Sequence, residues 1–433
     1  MAIVTSYPTR PLECWKKMKE LRRELFKASW GAKEMGGLAV ATQNVAHPLV
    51  AGLGVFGRRL YGPYFSKAMR EPDTLLSYHQ AADARGFPRG EMCSSMHHYL
   101  GEMALGLTTV DPVSGSTSPV DFVLEAQFCH SVGKMAQIAS EALGVPHKVL
   151  DIPQQDGAAA VDYVAAQMAD AVDWMVKVTG REYHDEWLAA AVENWWEHAA
   201  LWAQISLVNQ AVPAPVDVRM MGALEILSIV GGHDRRVVDF FQIVLDEMNA
   251  RVADGIAANG METCRLTHEG EPMYYDEGFI HKLAHRYGAV FVAGFVTFCQ
   301  GLWNIDEGGR WTAGPRFGDL GLSLRSREDA LRLLARCYVE HSPIYRCQRL
   351  EEKPGEYVYR AQDWHCDGAV LHMDIGCHSQ GAGVLEARQA LERAGIPTVT
   401  YEASNGDPRD FSHSQVTDQL ESFLERLGLV RLE

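Results

Sequence analysis

Apolar side chains recur along this chain in two rhythms, one helical and one extended. From Leu12 to Trp30, the residues Leu12, Trp15, Met18, Leu21, Leu25 and Phe26 fall mostly three or four apart with Lys, Arg and Glu between them. That spacing predicts an amphipathic helix whose apolar stripe docks on a later part of the chain. Short, nearly continuous apolar runs follow at Leu38 to Thr42, Val120 to Leu124 and His147 to Ile152, the pattern of strands buried on both faces in a parallel sheet. Between the last two, Gly133 to Leu143 sets Met135, Ile138, Ala139 and Leu143 on one face and stops at Gly144-Val145-Pro146. The three segments together predict a strand, helix, strand unit.

The rhythm becomes wholly helical from Ala158 to Asn259, a stretch rich in Ala, Trp and Met with turn signals at Gly180, Pro213-Ala214-Pro215 and Gly231-Gly232. Strand patterns then return at Thr263 to His268, Ala289 to Val292, Gly368 to Met373 and Pro397 to Tyr401. Helices are expected between them at Glu277 to Tyr287, Glu328 to Tyr338 and Gly383 to Ala394. Gly301 to Leu324, rich in Gly and Trp, reads as a long ordered loop. The expected organisation is α/β: an N-terminal helical segment (1–36), a first α/β domain (37–157), a helical region (158–260) and a second α/β domain (261–433).

Composition narrows the partners. The 433 residues are 47% hydrophobic and 22% charged, which suits a globular protein with large cores. The 56 acidic against 40 basic side chains give a formal charge of −16, which repels nucleic acid and anionic lipid surfaces. The longest apolar run, Ala289 to Phe298, is ten residues and is interrupted by Gly294, far below the roughly 20 that a membrane helix needs. The opening residues, Met1 to Pro8, lack a basic segment followed by an apolar one, so a cytoplasmic location is expected.

Two phosphate-binding patterns can be set aside. Gly52-Leu53-Gly54-Val55-Phe56-Gly57 matches G-x-G-x-x-G, but the preceding Val45 to Val50 reads as a helix ending at Gly52 rather than as the strand that motif requires. No Walker A sequence occurs, so any ATP would bind another chain.

The nine cysteines carry more. In a reducing compartment they are thiols, ligands or reactive groups rather than disulfides. Cys93 comes just before the helical stretch Met96 to Leu105, Cys129 follows the Val120 strand and precedes a helix, and Cys377 follows the Gly368 strand and precedes another. Strand-to-helix junctions at the carboxyl ends of α/β sheets are where ligands gather, and helix N-termini favour thiolates. Separations of 36 and 248 residues form no local ligand signature, so buried thiols and ligands both fit these three. Cys14, Cys264, Cys299, Cys337, Cys347 and Cys366 lack that shared context and read as structural.

The stretch Gly376-Cys377-His378-Ser379, Gly383 to Pro397, Tyr401-Glu402 and Asp407-Pro408-Arg409-Asp410-Phe411-Ser412-His413 through Phe423 resembles the benzoyl-CoA reductase and 2-hydroxyacyl-CoA dehydratase family. The Asp407 to His413 run and Ile152-Pro153-Gln154-Gln155-Asp156-Gly157 are most similar to the larger cluster-bearing subunit of its ATP-dependent reductases, and the likeness continues through Cys93, Cys129 and Arg265 to Pro272. The resemblance implies two Rossmann-like domains with a helical region, and a 4Fe-4S cluster held by three cysteines that correspond to Cys93, Cys129 and Cys377. It also implies a homologous smaller cluster-bearing subunit, ATP-hydrolysing electron-activator subunits, an upstream ferredoxin and an aromatic acyl-CoA substrate.

Ring reduction needs a proton as well as electrons, and His97, His98 and His378 stand near the cysteines in sequence, with Glu102 a further candidate if buried. Asp374 and Glu91 could orient such groups or simply be solvated. Trp303 and Trp311 are expected to line a cavity, while Trp195, Trp196 and Trp202 suit helix packing. The alternatives are a dehydratase subunit that recycles its electron, a non-catalytic electron carrier, and an iron-free scaffold.

Overall fold

The computed structural model describes residues 6–31, 40–41, 47–58, 69, 71–87, 89–90, 92–111, 114–276, 278–307, 310–346 and 349–432. Leu38, Ala39 and Thr42 of the first expected strand, together with Val45, Glu91 and Cys347, lie outside the described residues.

The first half begins with helix α1 (Trp15–Gly31), strand β1 (Val40–Ala41) and the short α2 (His47–Ala51). Helices α3 (Pro72–Ala84) and α4 (Ser94–Ala104) follow, then β2 (Phe122–Gln127), α5 (His130–Leu143) and β3 (His147–Asp151). The three strands form a parallel sheet in the order β1-β2-β3, with Val123 opposite His147. Alternate side chains of β2 serve opposite cores: Phe122 and Leu124 pack toward the helical region, and Val123 packs toward α4 and α5. The strand starts two residues later than the apolar run suggests and continues through Glu125, which is fully buried. Helix α5 stops at Gly144, whose φ of 66° is the left-handed cap that the Gly144-Val145-Pro146 signal implies.

Four long helices make up the middle: α6 (Ala158–Thr179), α7 (Asp185–Val208), α8 (Val218–Gly231) and α9 (Arg235–Ala253). Asp217 caps α8 by accepting from Met220 N at 2.7 Å, a contact worth about 1 kcal/mol. Leu21 and Leu25 of α1 join Leu224, Phe240 and Phe241 in one core, so the stripe of α1 docks on α8 and α9. Among the described residues no helix is long and apolar enough to cross a membrane.

The second half holds β4 (Cys264–Glu269), α10 (Gly278–His285), β5 (Ala289–Gly294), β6 (Trp303–Ile305), β7 (Trp311–Ala313), α11 (Arg327–Arg336) and α12 (Lys353–Asp363). It closes with β8 (Gly368–Asp374), α13 (His378–Gly381), α14 (Val384–Arg393), β9 (Thr398–Ala403) and α15 (His413–Arg426). Strands order β5-β4-β8-β9, all parallel. The sheet grows outward from β4 on one side and from β8 on the other, which makes the β4/β8 boundary a topological switch point whose carboxyl end is a natural ligand crevice. The fold is thus α/β with parallel sheets and an extensive helical region.

Two local expectations are corrected. Gly301 to Leu324 is not a plain loop: β6 and β7 form an antiparallel hairpin, and Phe317–Leu320 is a 3-10 turn. Helix α11 ends at Arg336 and passes into a wider π-type turn, Cys337–His341, instead of running on to Tyr338. Its Leu331 and Leu334 pack with Leu188, Trp196 and Phe122, so the chain here leaves the second sheet for the core beneath the first.

Candidate functional site

Each of the three selected cysteines occupies the N-cap position of a helix. Cys93 caps α4, Cys129 caps α5 two residues after β2, and Cys377 caps α13 after the turn that leaves β8. An N-cap residue stands beside the unsatisfied N–H groups of the first turn, and the Cys93 and Cys377 side chains accept no capping hydrogen bond from them. Three separate helix starts therefore each present one thiol.

Tertiary packing brings these caps together. Gly376, at φ +83°, presses against the carbonyl of Met92, with its missing Cβ position 2.5 Å from that oxygen. The Cys377 thiol consequently reaches the Cys93 thiol, and this hydrogen bond, followed by burial, pushes it well above the ordinary thiol range. Burial pushes the Cys129 thiol up to about 11, and the charge of Cys377 adds to the effect. Bare, the Cys377 and Cys129 thiols keep their protons, which a metal must displace. Among the described residues no three His, Cys, Asp or Glu side chains close round a single ion. The donor set is three soft sulfurs linked in pairs, a set that suits an iron–sulfur cluster whose ligands sit on different irons.

The loop after β9 laces this site to the first half of the chain. Asn405 donates its backbone N–H to Asp374 Oδ1 at 3.1 Å and accepts at its carbonyl from Tyr274 N at 2.9 Å. Its side-chain Oδ1 accepts from Ser94 Oγ at 2.6 Å and Ser95 Oγ at 3.1 Å, and its Nδ2 lies 3.8 Å from Cys93 Sγ. Gly406 N donates to Ser94 Oγ at 2.8 Å, and His79 Nε2 meets Gly406 O at 2.9 Å. Arg409 bridges Asp407 and Asp83, while Arg89 holds Asp410. The sequence marks Asp407 to Asp410 through resemblance but passes over Asn405 and His79; the Ser404-Asn405-Gly406 turn at the end of a strand is the signal that could have found the loop.

The proton-donor candidates occupy two kinds of place. His97 is buried, with Nδ1 2.9 Å from His79 Nδ1 and Nε2 near Asp83 Oδ1 (3.2 Å) and Phe87 O (3.3 Å). Both outer partners of this pair, Asp83 with Phe87 and Gly406, are acceptors, so each ring donates from its Nε2. His98 Nδ1 lies 3.4 Å from Glu102 Oε1 on the same helix. Burial holds the His98 imidazole well below its ordinary range and the Glu102 carboxyl well above its own, disfavouring the charged form of each. His378, in contrast, is exposed, its ring 4.6 Å from that of the exposed His130. Asp374 is buried beside Cys377, and burial, then the thiol's charge, raises its carboxyl well above the usual range.

Lys353 is a further residue that the sequence does not single out. Its buried ammonium donates to the carbonyls of Ser379 at 2.9 Å, Gln380 at 3.3 Å and Ala382, tying down the far end of the short helix that Cys377 begins. The expectation that Trp303 and Trp311 line a cavity is corrected: both are buried around Phe298, and Trp303 Nε1 donates to Phe298 O at 2.9 Å, because the β6–β7 hairpin folds them into the core. Trp195, Trp196 and Trp202 pack between helices as their spacing suggests. The G-x-G-x-x-G run follows helix α2, and Gly52 packs under the Tyr183 ring.

Residues 76–427, which include all three cysteines, match the family model for 2-hydroxyglutaryl-CoA dehydratase, D-component. The chain is 26% identical over 361 residues to a benzoyl-CoA reductase subunit of Thauera aromatica, covering 79% of this chain and 78% of that one. It is 22% identical over 431 residues to the (R)-phenyllactyl-CoA dehydratase alpha subunit of Clostridium sporogenes, covering 95% of each. Similarity to the (R)-2-hydroxyglutaryl-CoA dehydratase alpha subunit of Acidaminococcus fermentans is 21% over 315 residues, 71% of this chain and 60% of that one.

Proposed function

Since the chain belongs to the 2-hydroxyglutaryl-CoA dehydratase D-component family, we propose that it is the iron–sulfur subunit of an ATP-dependent aromatic acyl-CoA reductase of the benzoyl-CoA type. It works in the cytoplasm, reducing the ring of an aromatic thioester. Its partners are a homologous smaller cluster-bearing subunit, ATP-hydrolysing activator subunits and a ferredoxin donor. The observation that carries the reading is the convergence of three helix-capping cysteines, Cys93, Cys129 and Cys377, from both halves of the fold. Three thiolates suit a 4Fe-4S cluster with one iron left without a protein ligand, and such a cluster supplies low-potential single electrons.

The chain's own residues provide the setting. Backbone N–H groups of Ser131 and Val132, at the start of α5, lie against the Cys129 sulfur and would offset thiolate charge there. Lys353 fixes α13, and the Asn405 loop clamps α4 against the second sheet. His378 is the donor candidate whose exposure supports a role in handing a proton to the substrate. His97 and His98 are held in buried contacts with His79 and Glu102, which supports a positional role for them.

The 26% identity to a reductase subunit, against 22% to the dehydratase subunit, favours reduction. The dehydratase similarity runs the full length, 95% of both chains, which keeps a radical lyase as the second reading. An anaerobic assay of the reconstituted complex separates them. With benzoyl-CoA, a reductase consumes electrons and ATP and yields a cyclic diene thioester. With a 2-hydroxyacyl-CoA, a dehydratase yields an enoyl-CoA and water without net electron uptake, and that result would overturn the first reading.

A further inference from the structure

We propose that the Asn405 carboxamide is a positioning residue for the metal centre: its Nδ2–H donates to the Cys93 sulfur and raises the reduction potential of the cluster held there. The inference rests on the cluster reading above and deepens it. Asn405 is 3% exposed and lies 312 residues from Cys93, so the contact exists only because the β9 loop crosses to the first half of the fold.

The direction of the amide follows from its neighbours. A carboxamide offers one acceptor and one donor end, and the groups around it decide which end points where. Here the Ser94 hydroxyl accepts from Gly406 N at 2.8 Å and points its own hydrogen toward Asn405 Oδ1 at 2.6 Å, while Ser95 approaches the same oxygen at 3.1 Å. With the oxygen occupied by two hydroxyls, the NH₂ end faces Cys93 Sγ at 3.8 Å, within the range of an N–H···S contact. Gly406 sits where only a small residue leaves this approach open: a Cβ there would come within 3.2 Å of Ser95 N and 3.3 Å of Ser94 Oγ.

A purely structural asparagine would need only the Oδ1 and backbone bonds that tie the loop to Ser94, Ser95, Asp374 and Tyr274. The Nδ2–Sγ contact adds nothing to that tether. It acts on the electron density of a ligand sulfur, and hydrogen bonds to sulfur are among the determinants of cluster potential. In a buried site the contact is little screened by water. Donation to sulfur stabilises the more electron-rich, reduced cluster, so its loss moves the potential to more negative values.

The test is an anaerobic redox titration, followed by electron paramagnetic resonance, of the holoprotein with its partner subunits, with iron counted on the same samples. Asn405→Leu removes the donor without adding charge; Ser95→Ala leaves Asn405 in place but frees one side of its lock. Both are expected to keep their iron and to titrate at more negative potential than the wild type, Asn405→Leu by more. Iron-loaded Asn405→Leu at the wild-type potential would overturn the proposal. If that variant does not fold, an unmoved potential in iron-loaded Asn405→Ala would do so. An iron-free wild type, in contrast, would remove the cluster reading itself.

Discussion

Gly376 and Met92 approach so closely that a Cβ on Gly376 would sit 2.5 Å from the Met92 carbonyl oxygen. The turn that delivers Cys377 from β8 thereby lies directly on the turn that delivers Cys93 to α4, where the two thiols meet.

Gly376→Ala should therefore damage the site more than an ordinary glycine replacement. At φ +83° the alanine must hold a left-handed backbone and must also push Met92 away, a combined cost of about 1–3 kcal/mol. Gly395→Ala is the control, since its φ of +78° is similar but its Cβ would meet nothing within 4 Å. Urea unfolding and iron content are expected to show a modest stability loss with full iron for Gly395→Ala, and a larger loss with depleted iron for Gly376→Ala. Equal effects would show that the close approach is unimportant.

At the carboxyl end of β4, Arg360 forms a two-pronged ion pair with Glu269, at 2.9 Å from Nε and 2.7 Å from Nη2, with both side chains essentially without exposure. Arg360→Leu strands the Glu269 carboxylate in the core and should cost about 3–5 kcal/mol. Adding Glu269→Leu should restore part of that loss in denaturant titration. A double variant weaker than the single by the full cost of a second cavity would contradict this account.

His198 provides a pH signature away from the cysteines. Burial lowers its imidazole to about 3, with a Trp195 backbone contact opposing and His233 assisting. The unfolded chain takes up a proton near 6.5 whereas the folded one does not, so stability is full above that pH and declines as pH falls toward 3. Between pH 7 and 5 the wild type should lose about 2 kcal/mol relative to His198→Gln. Parallel stability curves for the two proteins would show that His198 is not buried as described.

Legibility in the sequence follows the range of the interactions. The parallel strands and long helices can be read because buried parallel strands form continuous apolar runs and helices repeat every three or four residues. The β2 boundary is displaced because its second half carries Glu125 and Gln127, polar residues that look like loop until tertiary burial is known. Helix α3 gives little signal because its inward side offers only Leu75, Tyr78, His79 and Ala82, half of them polar or small. The three cysteines stand out because each ends a strand or opens a helix within a few residues. Lys353 and Asn405 do not, since the groups they hold lie 26 to 312 residues away and no local pattern encodes such a meeting.

The most direct measurement is iron and acid-labile sulfide per chain after strictly anaerobic purification with the partner subunits. It should be made on the wild type and on Cys93→Ala, Cys129→Ala and Cys377→Ala. About four iron and four sulfide per wild-type chain are expected beyond those held by the partner subunits, with loss of that share in each variant. A folded wild type without iron, expressed with its cluster-assembly machinery, or undiminished iron in all three variants, would contradict the cluster reading.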